Sequence, residues 1–285
     1  MSGMSRNVLI TGATDGIGLA LAQRYAEQGD RPLLVGRRPL AALDPDVFTA
    51  QNYVQADLAA DDAPARVADF LAAQAVDALH IVIHNAGIGY VGEPAGQLAD
   101  NVAELVSVNL VAPVLLTQAF VPLLHRGHGK LVFISSVAAA MATPDYAVYT
   151  ATKAALDGFA RSLRIEQGDE LPILVVHVGA TRTGMHRKAG ADLGRMNWER
   201  FPAPKQLPRK SSVRLTTQPA MSRLDWEIGC CTVQGVCWGM AGSATGAHEP
   251  LMGCYCVPST ISWSPSEPSW ASLSRSNCVG KGLMR

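Results

Sequence analysis

The chain of 285 residues carries 24 basic and 24 acidic side chains, which gives a formal net charge of zero. Its length is sufficient for one large or two small domains with a buried core. The balanced charge leaves no electrostatic footprint for nucleic acid or an anionic membrane. The segment Met1–Ile10 shows no secretory pattern. We therefore expect a cytoplasmic protein without nucleic-acid or membrane partners.

Short apolar runs alternate with segments of helical spacing through the first two thirds of the chain. The predicted strands are Val8–Thr11, Leu33–Val35, Tyr53–Gln55, Leu79–His84, Leu131–Ile134 and Ile173–His177. The predicted helices are Gly18–Gln28, Ala65–Ala75, Asn101–Leu124 and Val148–Gln167. Strands that alternate with helices of this length indicate βαβ units. The sequence therefore predicts a single-domain α/β fold with a doubly wound, Rossmann-type parallel sheet and helices on both faces.

A glycine-rich turn follows the first predicted strand and opens the first helix. Gly12 can take backbone angles closed to other residues, Gly16 lets the backbone approach a pyrophosphate, and Gly18 permits close packing of helix on strand. The N-terminus of the helix would then hold the phosphates of a dinucleotide. The alternative is a turn with a purely structural role. The residues of this turn predicted to bind the cofactor are Gly12, Thr14, Asp15, Gly16, Ile17 and Gly18.

The end of the second strand carries a signal for cofactor choice. Arg37 and Arg38 stand about twenty residues beyond the glycines, where an acidic residue would bind the ribose of NAD. Two guanidinium groups favour a 2′-phosphate and hence NADP(H) over NAD(H). The alternative is a solvated basic turn. Asp57 and Leu58, after the third strand, are predicted to face the adenine, although Asp57 could equally be a helix cap.

Tyr149 and Lys153 lie four residues apart in a predicted helix, so that both side chains share one face. A phenol titrates near pH 10, and a neighbouring ammonium favours its phenolate form. The pair is therefore suited to acid/base work on a carbonyl or an alcohol. Ser136 lies thirteen residues upstream of Tyr149, at the end of a predicted strand. On local grounds alone, its hydroxyl would cap the backbone at the end of that strand.

The segment Gln206–Arg285 departs from this pattern. It is rich in Ser, Pro, Gly, Cys, Trp and Met, and it shows neither strand nor helix periodicity. Its cysteines lack the spacing and the histidine partners of a zinc site, so we expect no metal. We predict a domain over residues 1–205 and an atypical tail over residues 206–285. The tail is interpreted either as poorly ordered or as the product of a shift in the coding frame.

Several motifs in this order resemble the short-chain dehydrogenase/reductase family, over roughly residues 6 to 205. The matching motifs are Thr11–Gly18, Asn85-Ala86-Gly87, Ser107-Val108-Asn109, Ser136, and Tyr149 with Lys153. The resemblance implies an enzyme that transfers a hydride between a nicotinamide cofactor and a carbonyl or a secondary alcohol. It also implies a homodimer or homotetramer, because the family packs two of these helices into a four-helix interface.

The resemblance assigns roles to individual residues. Tyr149 would be the general acid/base, and Lys153 would lower its pKa and hold the nicotinamide ribose. Ser136 would bind the substrate oxygen, and Asn109 would hold a water that links Lys153 to solvent. Further residues implied in cofactor binding are Asn85, Ala86, Gly87, Tyr149, Lys153, Gly179 and Thr183.

The chain also departs from the family. Val178 stands where a proline usually precedes Gly179, and His84 stands where many members carry Asn. The final helix and the seventh strand of the family are not recognisable in Gln206–Arg285. A second hypothesis is therefore a catalytically silent or inactive relative that binds NADP(H), because a missing edge strand would expose the core.

Overall fold

The structure, a computed structural model, describes residues 5–191 and 198–206. Six strands form one sheet in the order β3-β2-β1-β4-β5-β6, and every neighbouring pair is parallel. The strands are β1 (Asn7–Thr11), β2 (Arg31–Gly36), β3 (Tyr53–Gln55), β4 (Ile81–His84), β5 (Lys130–Ser136) and β6 (Ile173–Val178). This arrangement confirms the predicted doubly wound sheet. Apart from residue 206, the predicted tail lies outside the described residues.

Helices connect the strands and cover both faces of the sheet. They are α1 (Gly16–Glu27), α2 (Ala63–Ala73), α3 (Ala99–Val106), α4 (Ala112–Arg126), α5 (Ala147–Gln167) and α6 (Gly184–Lys188). Single 3₁₀ turns occur at Leu40–Ala42, Pro94–Gly96, Val137–Ala139, Trp198–Arg200 and Pro204–Gln206.

The prediction of one regular helix over Asn101–Leu124 was incomplete. A π-helical segment, Ser107–Val111, separates α3 from α4. Pro113 lies at the start of α4 and donates no backbone hydrogen bond, which suits a change of helical pitch directly before it. By length and mean hydropathy alone, Ala99–Arg126 would also pass as a membrane span, a property that buried core helices share.

The alternation of side chains along the strands builds two apolar layers. In β1, Leu9 faces one layer, whereas Val8 and Ile10 face the other. The first layer contains buried side chains of α2, α4 and α5, among them Phe120 of α4. The second layer receives α1 through Ala22. Helices therefore bury apolar surface on both faces, which is the chief stabilising contribution of such a fold.

β4 begins two residues later than the predicted strand Leu79–His84. Leu79 does not join the sheet because its backbone N–H donates to the carbonyl of Leu123, 3.0 Å away, at the end of α4. A Cβ on Gly127 would lie 2.2 Å from the Leu79 carbonyl oxygen, so this approach requires glycine. The carboxyl ends of β1, β2, β4 and β5 lie at the end of the sheet away from this contact. In open α/β folds, ligands bind at the carboxyl ends of the strands.

Candidate active site

A cavity of about 560 Å³ lies at the carboxyl ends of the strands. It extends from the ends of β2 and β3, past the glycine-rich turn, to the loop after β4 and helix α6. The predicted cofactor residues that line it are Gly12, Thr14, Asp15, Gly16, Ile17, Arg37, Asp57, Leu58, Asn85, Ala86, Gly87 and Thr183. Most of the residues predicted to bind the cofactor thus lie on one continuous surface.

Two glycines of the turn have backbone angles that favour glycine. Gly12 and Gly16 have φ values of +64° and +56°. Gly18 does not line the cavity. A Cβ at Gly18 would lie 2.2 Å from the carbonyl oxygen of Gly12, so this residue permits the close packing of α1 on the turn. The side chain of Asp15 accepts from the backbone N–H of Gly16 and caps α1.

Asn85 and Thr11 join the glycine turn to the loop after β4. The Asn85 amide donates to the carbonyls of Thr11, at 2.9 Å, and Gly12, at 3.1 Å. The Thr11 hydroxyl accepts from the backbone N–H groups of Asn85 and Ala86. These bonds fix two sides of the cavity relative to each other. No separate role was predicted for Thr11 from the sequence, although it lies at the end of β1.

Only one of the two predicted arginines lines the cavity. Arg37 does so, and its guanidinium lies 3.4 Å from a carboxylate oxygen of Glu104 on α3. The guanidinium of Arg38 donates instead to the carbonyl of Ala42. Asp57 lines the cavity and accepts from the backbone N–H of Ala59, whereas the residue at the N-cap of α2 is Asp62. The alternative of Asp57 as a helix cap is therefore wrong.

Tyr149 is buried at the start of α5, close to Ser136. Ser136 ends β5, and its oxygen accepts from the backbone N–H of Ala138 at 3.1 Å. Burial raises the pKa of the Tyr149 phenol, and a hydrogen bond with the Ser136 side chain partly opposes this effect. Tyr149 is therefore protonated at neutral pH and can donate its proton to an oxygen that gains negative charge.

Lys153 lies behind the loop that follows β4. Its Nζ would be 3.3 Å from a Cβ at Gly87, and Gly87 lines the cavity. The ammonium donates to the carbonyl of Ile134 at 3.0 Å and lies 6.0 Å from the centre of the Tyr149 ring. Burial lowers the pKa of Lys153 to about 8, whereas the charge of Asp157 favours the ammonium. The expected lowering of the Tyr149 pKa by Lys153 is not found, because burial dominates at this separation.

Asn109 is buried in the π-helical segment, and its side chain holds the loop after β4. The amide oxygen accepts from the backbone N–H of Ile88, and the amide nitrogen donates to the Ile88 carbonyl, each at 2.9 Å. The same nitrogen donates to the hydroxyl of Thr152 on α5 at 3.1 Å. Asn109 therefore connects three segments around Lys153. Both its amide oxygen and its amide nitrogen are bonded to protein groups.

The loop after β6 contributes unequally to the cavity. Thr183 lines it and caps α6, because its side chain accepts from the backbone N–H of Met185. Gly179 does not line it, and its carbonyl accepts from the hydroxyl of Thr181 at 3.0 Å. The prediction that Gly179 contacts the cofactor is thus not supported by its placement.

A mainly apolar cluster surrounds Tyr149 on the side of α6. Tyr146 packs edge-to-face on Tyr149 with ring centres 5.9 Å apart, and its hydroxyl lies 3.2 Å from Nδ1 of His186. Burial lowers the pKa of His186, which favours the neutral ring. The other members of the cluster are Leu105, Ala138, Ile88, Tyr90, Val148 and Met185. No local sequence pattern indicates the contact between Tyr146 and His186, which lie forty residues apart.

These features fit a nicotinamide dinucleotide. The N-terminus of α1 opens onto the cavity, and Arg37 at the end of β2 and Thr183 at the start of α6 both line it. Arg37 and Asp57 would hold the adenosine half, the glycine turn the pyrophosphate, and Thr183 with Lys153 the nicotinamide half. Such a cofactor supplies the hydride, whereas the protein supplies positioning and electrostatics. Among the described residues, no group of three His, Cys, Asp or Glu side chains is placed to hold a metal ion.

Comparison with known proteins shows the family of the chain. Residues 6–194 match the model of the short chain dehydrogenase family. The chain is 34% identical to a Drosophila melanogaster dehydrogenase/reductase SDR family protein 7-like, over 64% of this chain and 59% of that protein. It is 33% identical to a human hydroxysteroid 11-beta-dehydrogenase 1-like protein, over 75% of this chain and 68% of that protein. The match thus spans less than two thirds of the length of the Drosophila relative.

Solved structures show the same relationship. A short-chain dehydrogenase from Sphingobium yanoikuyae in complex with NADPH has a TM-score of 0.62 and 29% identity. The aligned region covers 70% of this chain and 80% of that chain. The family match extends over more than half of the sequence and includes every strand of the sheet. The chain therefore belongs to the short chain dehydrogenase family.

Proposed function

We propose that the protein is an NADP(H)-dependent oxidoreductase that transfers a hydride between nicotinamide and a carbonyl or secondary alcohol. The observation that carries this proposal is the buried set of Tyr149, Ser136 and Lys153 directly behind the cavity. In the direction of reduction, Tyr149 donates its proton to the substrate oxygen. Ser136 hydrogen-bonds the same oxygen, and the Lys153 ammonium stabilises the phenolate that remains.

Two observations support NADP(H) as the cofactor. Arg37 carries its charge at the cavity end where the adenosine half would lie. The similar protein from Sphingobium yanoikuyae was solved in complex with NADPH. An arginine suits a 2′-phosphate because its fork of N–H donors matches the oxygens of that group. The ion pair with Glu104 would have to open for this contact.

The walls around Tyr149 suggest the chemistry of the substrate. Most side chains of the cluster are apolar, whereas Tyr146 and His186 form one polar pair beside Tyr149. We propose a largely apolar carbonyl compound with a hydrogen-bonding group within reach of that pair. An apolar wall with few polar groups is typical of small-molecule sites.

The expectations on location and assembly remain part of this proposal. We propose a cytoplasmic homodimer or homotetramer without nucleic-acid or membrane partners. Exposed apolar side chains support self-association, because Val111 of the π-helical segment, Leu115 of α4 and Ile165 of α5 remain accessible to solvent in the isolated chain. Light scattering after gel filtration would measure the assembly, and a monomer at all concentrations would refute this part.

The test of the catalytic proposal is Tyr149→Phe. A panel of apolar ketones and aldehydes is reduced with NADPH, and turnover is followed by the loss of NADPH absorbance. The variant lacks the donated proton, and we expect kcat to fall by about 10²–10⁴-fold, the usual contribution of a general acid. The affinity for NADPH, measured by fluorescence, should remain within a few fold. Residual turnover equal to that of the unchanged protein would contradict the proposal.

The competing hypothesis of a catalytically silent relative makes a different prediction in the same assay. Such a protein would bind NADPH and reduce no member of the panel. The intact set of Ser136, Tyr149 and Lys153 argues against it, because a silent relative has no need to keep three buried polar side chains together.

A further inference from the structure

Lys153, Asp157 and His177 form a row that leads away from Tyr149. Lys153 and Asp157 are four residues apart on α5, which places their Cβ atoms about 5–6 Å from each other on one helix face. Nε2 of His177, on β6, lies 2.6 Å from Oδ2 of Asp157. The row thus joins the helix that carries Tyr149 to the strand that leads to Thr183.

Lys153 needs a counter-charge in its position. Its side chain is 4% exposed, and its ammonium donates to the neutral carbonyl of Ile134. A buried ammonium is strongly destabilising unless it is paired, and it loses its proton more readily than an exposed one. Burial does lower the pKa of Lys153, to about 8. Asp157 is the acidic group whose charge opposes this effect.

Asp157 is held in a fixed place rather than in solvent. Its side chain is 13% exposed, and that of His177 is 21% exposed. One carboxylate oxygen is bound to His177, and the other is buried without a hydrogen-bond partner among the described residues. With one oxygen bound to His177, the Asp157 carboxylate holds its charge close to the buried ammonium of Lys153. A buried carboxylate oxygen without a hydrogen-bond partner destabilises the fold, whereas a carboxylate on an exposed helix face would be hydrated and would not.

Among the described residues, the other titratable groups on the elements around Lys153 named below are either neutral or already paired. The pKa of Tyr149 is raised, so it is a neutral phenol at pH 7. Burial lowers the pKa of His84, on β4, to about 3, so it is neutral as well. Tyr146 is a phenol with a raised pKa. Glu104, on α3, is paired with Arg37.

We propose that Asp157, oriented by His177, is a positioning residue that keeps Lys153 in its ammonium form during the reaction. The proposal rests on the proposed function. When Tyr149 gives its proton to the substrate oxygen, the phenolate forms beside the ammonium, and Lys153 keeps its own proton. Without the charge of Asp157, Lys153 loses that proton at a lower pH, and the phenolate is no longer stabilised.

The first test is the pH profile of reduction by the full-length protein with NADPH. Asp157→Asn should move the alkaline limb of kcat/KM to lower pH by about one unit, the smaller effect of a nearby opposite charge. The matched control is Asp169→Asn, the same change at an exposed position just after α5. Asp157→Glu keeps the charge and should restore most of the original limb. An alkaline limb at the same pH in Asp157→Asn and Asp169→Asn would overturn the proposal.

The second test does not depend on turnover. The folded pKa of Lys153, about 8, lies below the unfolded value of 10.5. The unfolded state therefore binds more protons between these values, and the free energy of unfolding rises with pH across that window. Asp157→Asn lowers the folded pKa further, so the rise between pH 7 and pH 8 should be steeper. His177→Gln, whose amide can still donate to the carboxylate of Asp157, serves as the common background, so that the two proteins differ only at residue 157.

The two tests separate the two proposals. A protein that reduces no carbonyl compound would refute the proposed function, whereas the slope of unfolding free energy would still report the charge state of Lys153. An unchanged slope in Asp157→Asn, with His177→Gln in both proteins, would overturn the role of Asp157 whether or not the protein is active. A steeper slope together with a shifted alkaline limb would support it.

Discussion

The two arginines at the end of β2 differ in what their guanidinium groups contact. Arg37 lines the cavity, whereas Arg38 donates to the carbonyl of Ala42 outside it. We expect Arg37→Ala to raise KM for NADPH by about 10–100-fold, because hydrogen bonds to a charged group contribute about 1.5–3 kcal/mol. KM for NADH should change little, since NADH has no 2′-phosphate. Steady-state kinetics with both cofactors provide the measurement.

Arg38→Ala is the matched control for this prediction. It removes the same charge one residue further along the chain, and we expect KM for NADPH to stay within a few fold. Equal losses in the two variants would mean that the arginines act through general electrostatics. Equal losses for NADPH and NADH in Arg37→Ala would contradict a contact with the 2′-phosphate.

Contacts between distant residues mark the limit of prediction for the site. Tyr149 and Lys153 were predictable because helical spacing places them together, and Ser136 because it ends a strand beside them. Asp157 and His177 meet across twenty residues, from a helix to a strand, and no local pattern reports such a contact. The different contacts of Arg37 and Arg38 were also not predictable, because they depend on where the fold places Glu104 and Ala42.

Two helical glycines have opposite environments, and they test the packing of α1 on the glycine turn. A Cβ on Gly18 would lie 2.2 Å from the Gly12 carbonyl oxygen. Gly18→Ala should therefore lower the free energy of unfolding by about 1–3 kcal/mol, as overpacking does. A Cβ on Gly158, in α5, meets no atom closer than 3.9 Å. Gly158→Ala should stabilise the protein by about 0.5–1 kcal/mol, because alanine is the better helix former.

Urea unfolding of both variants and of the unchanged protein would measure these differences. Gly18→Ala should also weaken NADPH binding, since a displaced turn moves the N-terminus of α1. A Gly18→Ala protein as stable as Gly158→Ala would show that the turn can move aside. In that case the close approach would be dispensable.

The order of elements was predictable to a greater extent than their ends. Strands were visible as apolar runs, and all six were predicted within two residues at each end. The π-helical segment was not visible, because the hydrophobic run from α3 through α4 continues across it. The late start of β4 depends on the contact of Leu79 with the end of α4, which is a tertiary effect. The local sequence pattern predicts whether a segment is a helix or a strand, whereas tertiary packing determines the residues at which it begins and ends.

At the scale of the molecule, charged side chains lie beside the cavity, whereas burial keeps the imidazole at the end of β4 neutral. Lys153, Arg37 and Lys188 lie around the cavity at the carboxyl ends of the strands. His84 lies at the end of β4 but points into the apolar layer, stacked on Phe133 with ring centres 5.1 Å apart. Its Nε2 lies 3.0 Å from the hydroxyl of Thr117. Burial favours the neutral form of this ring.

Because His84 is buried, the free energy of unfolding of the domain depends on pH in the acidic range. The folded pKa of His84, about 3, lies below its ordinary value of 6.5. Below pH 6.5 the unfolded chain binds a proton at His84 that the folded chain does not bind. The contribution of neutral His84 to the free energy of unfolding is therefore fully present above pH 6.5 and is lost as the pH falls. We expect His84 to lower the free energy of unfolding by up to about 1.4 kcal/mol per pH unit between pH 6 and pH 4.5. Urea unfolding at several pH values measures this slope.

His84→Asn should remove that contribution, because an amide can bond Thr117 and does not titrate. Half-buried His186 also has a lowered pKa, so part of the acid dependence should remain in the variant. His128→Asn is the matched control: His128 is exposed at a φ of +44°, a conformation that asparagine tolerates well. The control should keep the slope of the unchanged protein. If His84→Asn keeps that slope as well, then His84 binds its proton in the folded state, and the apolar layer around it admits charge.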